Sequence, residues 1–398
     1  MIFQYFIYLH ACVVFTMESL IDQITKIAKK INVYEDSQKK FCDIFQQVKD
    51  KIYFNGLKKI VINDVIDDNF FVKVEPLSLN GLRIIGVDGG LINKSFTSID
   101  LILLRGVACI FNYQDDKPLV EYITSQFPIP EIKTNFTPFS RTESEIYGSL
   151  ERMQCELNVA LKSMKKSKPD LLLLDGSIIP LPSDKPSPSS KLYKNYENVI
   201  KKHEELYDYC LENQILLAGC IKDTRSRRFM NIFIKLLPHL IEEYPELRSI
   251  LKLDFRDILN NIRDTDFLYR IMKEGERTAI LTFTDSPNSH FILKDIDKKF
   301  HDKFQTFYIK SVSGDLPIRV EFLNLNCNPL STADKIARSV LSMSNYYDDY
   351  GFPVPLIEAD ARAKLNEHDL DMVYNILNQN TFYPSSLLRL RRNRRGII

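Results

Sequence analysis

The sequence predicts an α/β protein with a mixed β-sheet flanked by helices. Two aliphatic runs, Ile84-Ile-Gly-Val-Asp88-Gly-Gly90 and Leu171-Leu-Leu-Leu-Asp175-Gly-Ser177, each end abruptly in Asp-Gly. Short apolar runs bounded by turn formers are what strands buried on both faces look like. A long helical pattern lies between the two runs, and hairpin-linked strands precede the second one. That order argues for a mixed sheet, not a purely parallel one.

Residues 17 to about 60 show helical spacing, with Leu20, Ile24, Ile27 and Ile31 followed by Phe41, Ile44, Phe45 and Val48. The pattern reads as two amphipathic helices ahead of the sheet. Residues 1–16 are apolar but lack a basic start and are too short to span a bilayer, whereas Met17 opens a better helix. Strands are expected at 83–88, at about 95–113 as a hairpin, and at 118–124 after the polar turn 112–117. A helix over 142–167, with Ser140 or Thr142 as N-cap, leads to a strand at 170–175. Residues 180–190 are rich in proline and serine and read as an exposed, mobile loop. A helix at 191–213 and a strand at 215–222 follow, and then a mostly helical insertion at about 228–275. Strands at 278–284, 304–312 and 318–323 and helices at 331–346 and 367–378 complete the chain. The expected division is an N-terminal helical segment, 1–80, and one large domain, 81–398, that carries the insertion.

Composition is neutral about partners. The 398 residues carry a net charge of +1, so attraction to nucleic acid must come from local clusters and not from a field of the whole molecule. Seven scattered cysteines, without a C-x-x-C pair, read as free thiols in a reducing, cytoplasmic setting. The six histidines are dispersed and complete no zinc pattern.

Asp88 and Asp175 are the leading candidates for chemistry. An unpaired buried carboxylate is costly, so a cation normally neutralises it. Two such residues suggest ligands converging on a divalent ion, although Asp-Gly is also an ordinary turn after a strand. Glu156 lies beside the apolar stripe Leu150, Met153, Leu157 and Leu161 of the helix between them, and Glu145 and Glu151 compete with it as a third acid. Lys222, Arg225, Arg227 and Arg228 follow a core strand and form a dense candidate patch for DNA phosphates, or else a solvated charge run. Asp360 follows Pro353 and Pro355 and is expected near the first turns of a helix, where the dipole tolerates an anion. The tail from Arg389 to Arg395 is strongly basic and suits a phosphate backbone or an acidic partner.

In order, Val87-Asp-Gly-Gly90, a helix glutamate, Leu173-Leu-Asp-Gly-Ser177, Ile221-Lys-Asp-Thr-Arg-Ser226 and Phe352-Pro-Val-Pro-Leu-Ile-Glu-Ala-Asp360 resemble the NurA nuclease family from about residue 80 onward. The resemblance implies an RNase H-like fold and a manganese-dependent DNA nuclease, a 5′–3′ exonuclease and single-strand endonuclease. It further implies a homodimer that works with the hexameric HerA ATPase to resect DNA ends in double-strand-break repair. Asp88, Asp175, Glu156 and Asp360 are thereby implied as metal ligands, and Lys222 as the lysine of the Lys-Asp-Ser/Thr-Arg segment. The metal would be manganese or magnesium, held as two ions about 3.5–4 Å apart. Two positions depart from the family pattern: Phe352 and Asp360 stand where tyrosine and histidine are frequent. Aspartate keeps a hard oxygen ligand but lacks the imidazole that could carry a proton.

Two other readings compete. A sugar-kinase or actin-like ATPase can share Val-Asp-Gly-Gly, but this chain has only 13 glycines and no Walker A or G-x-G-x-x-G sequence for nucleotide phosphates. A non-catalytic clamp on DNA ends would suit Phe352 and Asp360, but a scaffold has no need of clustered carboxylates.

Overall fold

The structure is a computed structural model. It describes residues 2–381 except 54–56, 58–59, 61–63, 97, 115–116, 124, 127, 138, 253–255 and 326–327, and describes no side chains at 2–18, 251–252 or 256–258. The basic tail from Arg389 therefore lies outside the described residues. In chain order the first elements are α1 (Ile2–Gln46), β1 (Phe71–Lys73), β2 (Arg83–Ser95), β3 (Asp100–Gln114), β4 (Lys117–Ile123) and β5 (Glu131–Asn135). Next come α2 (Arg141–Ser167), β6 (Leu171–Asp175), α3 (Tyr193–Asn213), β7 (Leu216–Ile221) and α4 (Arg228–Glu243). The short helices α5 (Ser249–Lys252), α6 (Arg256–Asn261) and α7 (Asp264–Ile271) precede β8 (Glu276–Thr278) and β9 (Leu281–Thr282). The chain closes with β10 (Phe304–Lys310), β11 (Ile318–Leu323), α8 (Pro329–Met343), α9 (Val354–Ala363) and α10 (Glu367–Asn380).

The chain forms two compact units, one of residues 1–60 with 225–271 and one of 61–224 with 272–398. The first unit is helical. The two N-terminal helices expected from the sequence are a single one, α1. Residues 32–40 hold no glycine or proline, so the polar stretch Glu35-Asp-Ser37 does not interrupt it. Phe41 and Phe45 are fully buried and pack edge-on against Phe233 of α4, at ring centroid distances of 6.1 and 5.0 Å. Among the described residues, no helix is long and apolar enough to cross a membrane.

The second unit holds an 11-stranded sheet in the order β1-β8-β10-β11-β7-β6-β2-β3-β4, with β5 on β3 and β9 on β10. β2, β6 and β7 are parallel and the remaining pairings antiparallel, the mixed sheet expected. The strand period of two assigns side chains to opposite faces. Ile85, Val87, Leu172 and Leu174 join the core built with Leu150, Leu157 and Leu161 of α2 and Tyr207 of α3. Ile84, Leu171 and Leu173 join the core built with Ile336 and Val340 of α8 and Leu356 and Ala359 of α9. α2 begins with a capping box in which the Ser140 hydroxyl and the Glu143 carboxylate satisfy each other's backbone N–H groups.

Two sequence expectations need correction here. β2 does not stop at Asp88 but runs to Ser95, pairing with β3 along its whole length. Glycines normally end a strand, but Gly90 is kept extended by packing: a Cβ there would fall 1.9 Å from the Ala363 carbonyl oxygen, so α9 lies directly on the bare backbone. The proline- and serine-rich segment is also pinned in part. Asp184 is buried, accepts from the Ser149 hydroxyl at 2.8 Å, and Lys185 donates to the Phe291 carbonyl at 3.0 Å.

Candidate metal centre

The end of β6 positions the site. Asp88 is mid-strand, but β6 accompanies β2 only from Ile84 to Val87, so Asp88 is the first residue of β2 beyond that pairing. Asp175 is the last residue of β6. By the alternation along each strand, both carboxylates stand on the α9 face, and α9 contributes Asp360. One oxygen from each of Asp88, Asp175 and Asp360 lies within 4.8 Å of the others. Asp360 is exposed and leaves the cluster open to solvent. The sequence placed it near the first turns of a helix, but it lies toward the other end. Its carbonyl accepts from the capping Lys364 N–H, which places it in the last turn of α9. There the helix dipole disfavours an anion, so this aspartate gains nothing from its own helix, and a cation at the cluster would stabilise it.

Glu156 approaches from the other side of β2. A Cβ added to Gly89 would meet its Oε1 at 2.4 Å, so the missing side chain at 89 is what admits this carboxylate beside Asp88. It is not one of the three converging oxygens. Arg152, one helical turn earlier, donates to Glu156 Oε1 at 3.0 Å. The competing glutamates are used elsewhere: Glu151 is buried and paired with Lys133, and Glu145 is paired on the surface with Arg141 at 3.0 Å.

The electrostatics are those of crowded, desolvated acids. Burial, and then the charge of Asp175, push the Asp88 carboxyl up to about 6. Burial pushes Glu156 up to about 8, against the pull of Arg152 and with the help of Asp88 and Asp175. Asp175 is also raised, chiefly by burial, although Lys222 Nζ donates to its Oδ2 at 2.9 Å and opposes the shift. Burial disfavours the Lys222 ammonium, but the hydrogen bond and charge of Asp175 outweigh it and hold its pKa above the usual lysine value. Lys222 also stands 4.3 Å from the centre of the Phe352 ring, which is buried. Position 352 is thus an aromatic floor beneath the lysine, a contact that needs no hydroxyl.

The proposed phosphate patch divides. Lys222 belongs to the acid cluster, whereas Arg225, Arg227 and Arg228 belong to the helical unit. Arg227 is committed internally, donating to the Leu259 carbonyl and to that of Ile262 at 3.2 Å, so it is a brace of that unit and not a free phosphate contact. Arg225 is exposed. Sequence reasoning passed over Arg152 and Asp184, both close enough to act on the charge of Glu156. The i,i+4 spacing of Arg152 and Glu156 was the available signal for the first.

Hard carboxylate oxygens converging at a half-open sheet end suit a divalent ion such as manganese or magnesium. Such an ion would offset the burial, and the repulsion added to it, that raise Asp88 and Asp175.

The NurA domain model matches residues 82–365. The crystal structure of the NurA nuclease from Sulfolobus solfataricus is similar, with 15% identity and a TM-score of 0.54, over 92% of this chain and 98% of that one. A NurA structure bound to dAMP and manganese aligns at 13% identity and a TM-score of 0.44, over 89% and 98% of the two chains. A Ciona intestinalis endonuclease V in complex with DNA aligns at 12% identity and a TM-score of 0.31, over 87% and 99%. Comparison with curated proteins finds no match. The sheet is thus of the RNase H-like type, and because the domain model covers well over half of the sequence, the chain belongs to the NurA nuclease family.

Proposed function

We propose that this chain is a divalent-metal-dependent DNA nuclease that hydrolyses phosphodiester bonds at the end of β6. The observation that carries the reading is the convergence of Asp88, Asp175 and Asp360, three carboxylates from three elements, with oxygens within 4.8 Å of one another. These three, with Glu156 alongside, would hold manganese or magnesium. When bound, two ions would supply an activated water and charge stabilisation at the leaving oxygen. Lys222 brings a cation to the same place and offsets negative charge on a phosphate. Arg152 keeps the Glu156 carboxylate turned toward Asp88. Glu156 is the group most ready to hold a proton near neutral pH, since its carboxyl is raised to about 8. Contacts of this kind address the backbone and not base edges, so little sequence preference is expected.

Family membership supports the finer reading: 5′–3′ exonuclease and single-strand endonuclease activity, a homodimer, and a HerA-type hexameric ATPase as partner in the resection of DNA ends. Five cysteines among the described residues are free, four of them buried, in keeping with a cytoplasmic protein. The deciding experiment follows 5′- and 3′-labelled single- and double-stranded DNA with manganese, magnesium or chelator. Metal-dependent degradation by the wild type and none by Asp175→Asn, with an unchanged far-ultraviolet spectrum, is the expected outcome. Full activity in Asp175→Asn would remove the assignment.

A further inference from the structure

Among the described residues, α1 carries an apolar seam that the chain covers only toward its C-terminal end. Leu20, Ile24, Ile27, Ile31 and Tyr34 succeed one another at alternating intervals of four and three residues, and Gln38, Phe41, Phe45 and Val48 continue the same rhythm. In the second stretch the seam is interior: Gln38 is 5% exposed and Phe41, Phe45 and Val48 are fully buried. In the first stretch it faces outward, with Leu20, Ile24, Ile27 and Ile31 all more than half exposed. A 3–4 spacing averages 3.5 residues, the repeat that keeps one stripe against a second helix wound around it. The far side of α1 is solvated, with Lys26 paired to Asp22 at 2.7 Å.

The flanking charges select an occupant. With Ile24 and Ile31 at the a positions and Leu20, Ile27 and Tyr34 at d, Lys30 falls at g and Glu35 at the following e. In a parallel pair, g of one helix faces the next e of the other, so Lys30 meets Glu35 of the second copy, and two-fold symmetry makes that pair twice. An antiparallel pair would set g against g and bring Lys30 toward Gln23 or another Lys30. Ile24 and Ile31 at a with Leu20 at d suit two strands, whereas Ile27 at d suits more, so the number of strands is taken from the two copies of the preceding reading. The helix is already held by Phe41 and Phe45, so pairing need not form it.

We propose that residues Leu20–Tyr34 of α1 are a docking surface for a second copy of this chain, as a parallel two-stranded coiled coil. The seam spans about 22 Å. It gives the homodimer of the preceding reading a definite interface and rests on that reading only for the number of copies.

The test is sedimentation equilibrium on the full chain and four variants. The wild type is expected to be a dimer. Ile27→Asp should weaken it at least about tenfold, because a carboxylate would be buried in the seam. Lys30→Glu should weaken it measurably, and Lys30→Glu/Glu35→Lys should restore it. Leu20→Cys should cross-link to its own copy under mild oxidation, as the parallel register brings position 20 to position 20. These side chains are exposed in the chain alone, so the melting profile serves as a fold control. A dimer that Ile27→Asp leaves intact would overturn the seam while the homodimer stands. A wild type that stays monomeric would overturn both, and nuclease activity would be judged separately by the labelled-DNA assay.

Discussion

Single residues in this molecule act through what they leave out as much as through what they add. Gly89 has no side chain, and that gap is where the Glu156 carboxylate rests. Gly89→Ala should therefore displace Glu156 and cost about 1–3 kcal/mol, the usual penalty for overpacking. Its thermal midpoint should drop, and Glu156→Ala in the same background should recover part of the loss. Lys222 does the opposite work, by adding charge. Its ammonium draws down the pKa of Asp175, which burial raises. Lys222→Met removes that opposition, so the acid limb of the metal-dependent pH–rate profile should move to higher pH. Phe352→Leu should weaken DNA cleavage by losing the ring beneath Lys222, a contact worth roughly 0.5–2 kcal/mol. Phe352→Tyr keeps the ring and should retain activity.

At the scale of elements, the site exists because a helix is allowed to touch a strand. α9 brings Asp360 to the cluster only while it lies on β2 at Gly86 and Gly90, where added Cβ atoms would fall 2.2 and 1.9 Å from the carbonyl oxygens of Pro355 and Ala363. Backbone cannot yield as a flexible side chain can. Gly90→Ala is therefore expected to lift α9, take Asp360 out of the group and abolish manganese-induced stabilisation in a thermal-shift assay, while Asp88 and Asp175 remain in place. This contact also explains what the sequence disclosed. The aliphatic runs at 84–87 and 171–174, and the acids that end them, were legible because buried strands have a composition of their own. The stripe on α2 pointed to Glu156 by the same periodic logic. What escaped notice depended on contacts between distant segments: the continuation of β2 through Gly89-Gly90, the place of Asp360 in the last turn of α9, and the ring of Phe352 under Lys222. Arg227 looked like a phosphate ligand because charge runs do so in a linear reading, and its internal carbonyl partners come from residues 259 and 262.

Across the whole molecule, the acid cluster ties stability to pH and to metal. Asp88 holds its proton more tightly in the folded chain, at about 6, than an exposed aspartate would. Its contribution to stability is therefore complete below the ordinary aspartate value and is lost as pH rises through about 6. Glu156 follows the same course at higher pH, losing its contribution through about 8. The metal-free protein thus loses stability at the end of β6 as pH rises, on the order of 3 kcal/mol for Asp88 alone between about pH 4 and pH 7, because burial and then mutual repulsion disfavour the charges, and Glu156 extends the loss toward pH 8. A divalent ion binds the deprotonated carboxylates and reverses this cost, so its effect must grow over the same interval. Melting with and without manganese, at matched ionic strength, isolates the site because the pH response of every other group cancels in the difference. The upward shift in Tm should be large at pH 8, about 2.7 kcal/mol in stability at one hundred times Kd, and should fade below pH 6. Asp360→Ala should flatten the difference at every pH. A shift equal at pH 5 and pH 8, or one that survives Asp360→Ala unchanged, would mean that manganese binds somewhere other than the three converging carboxylates.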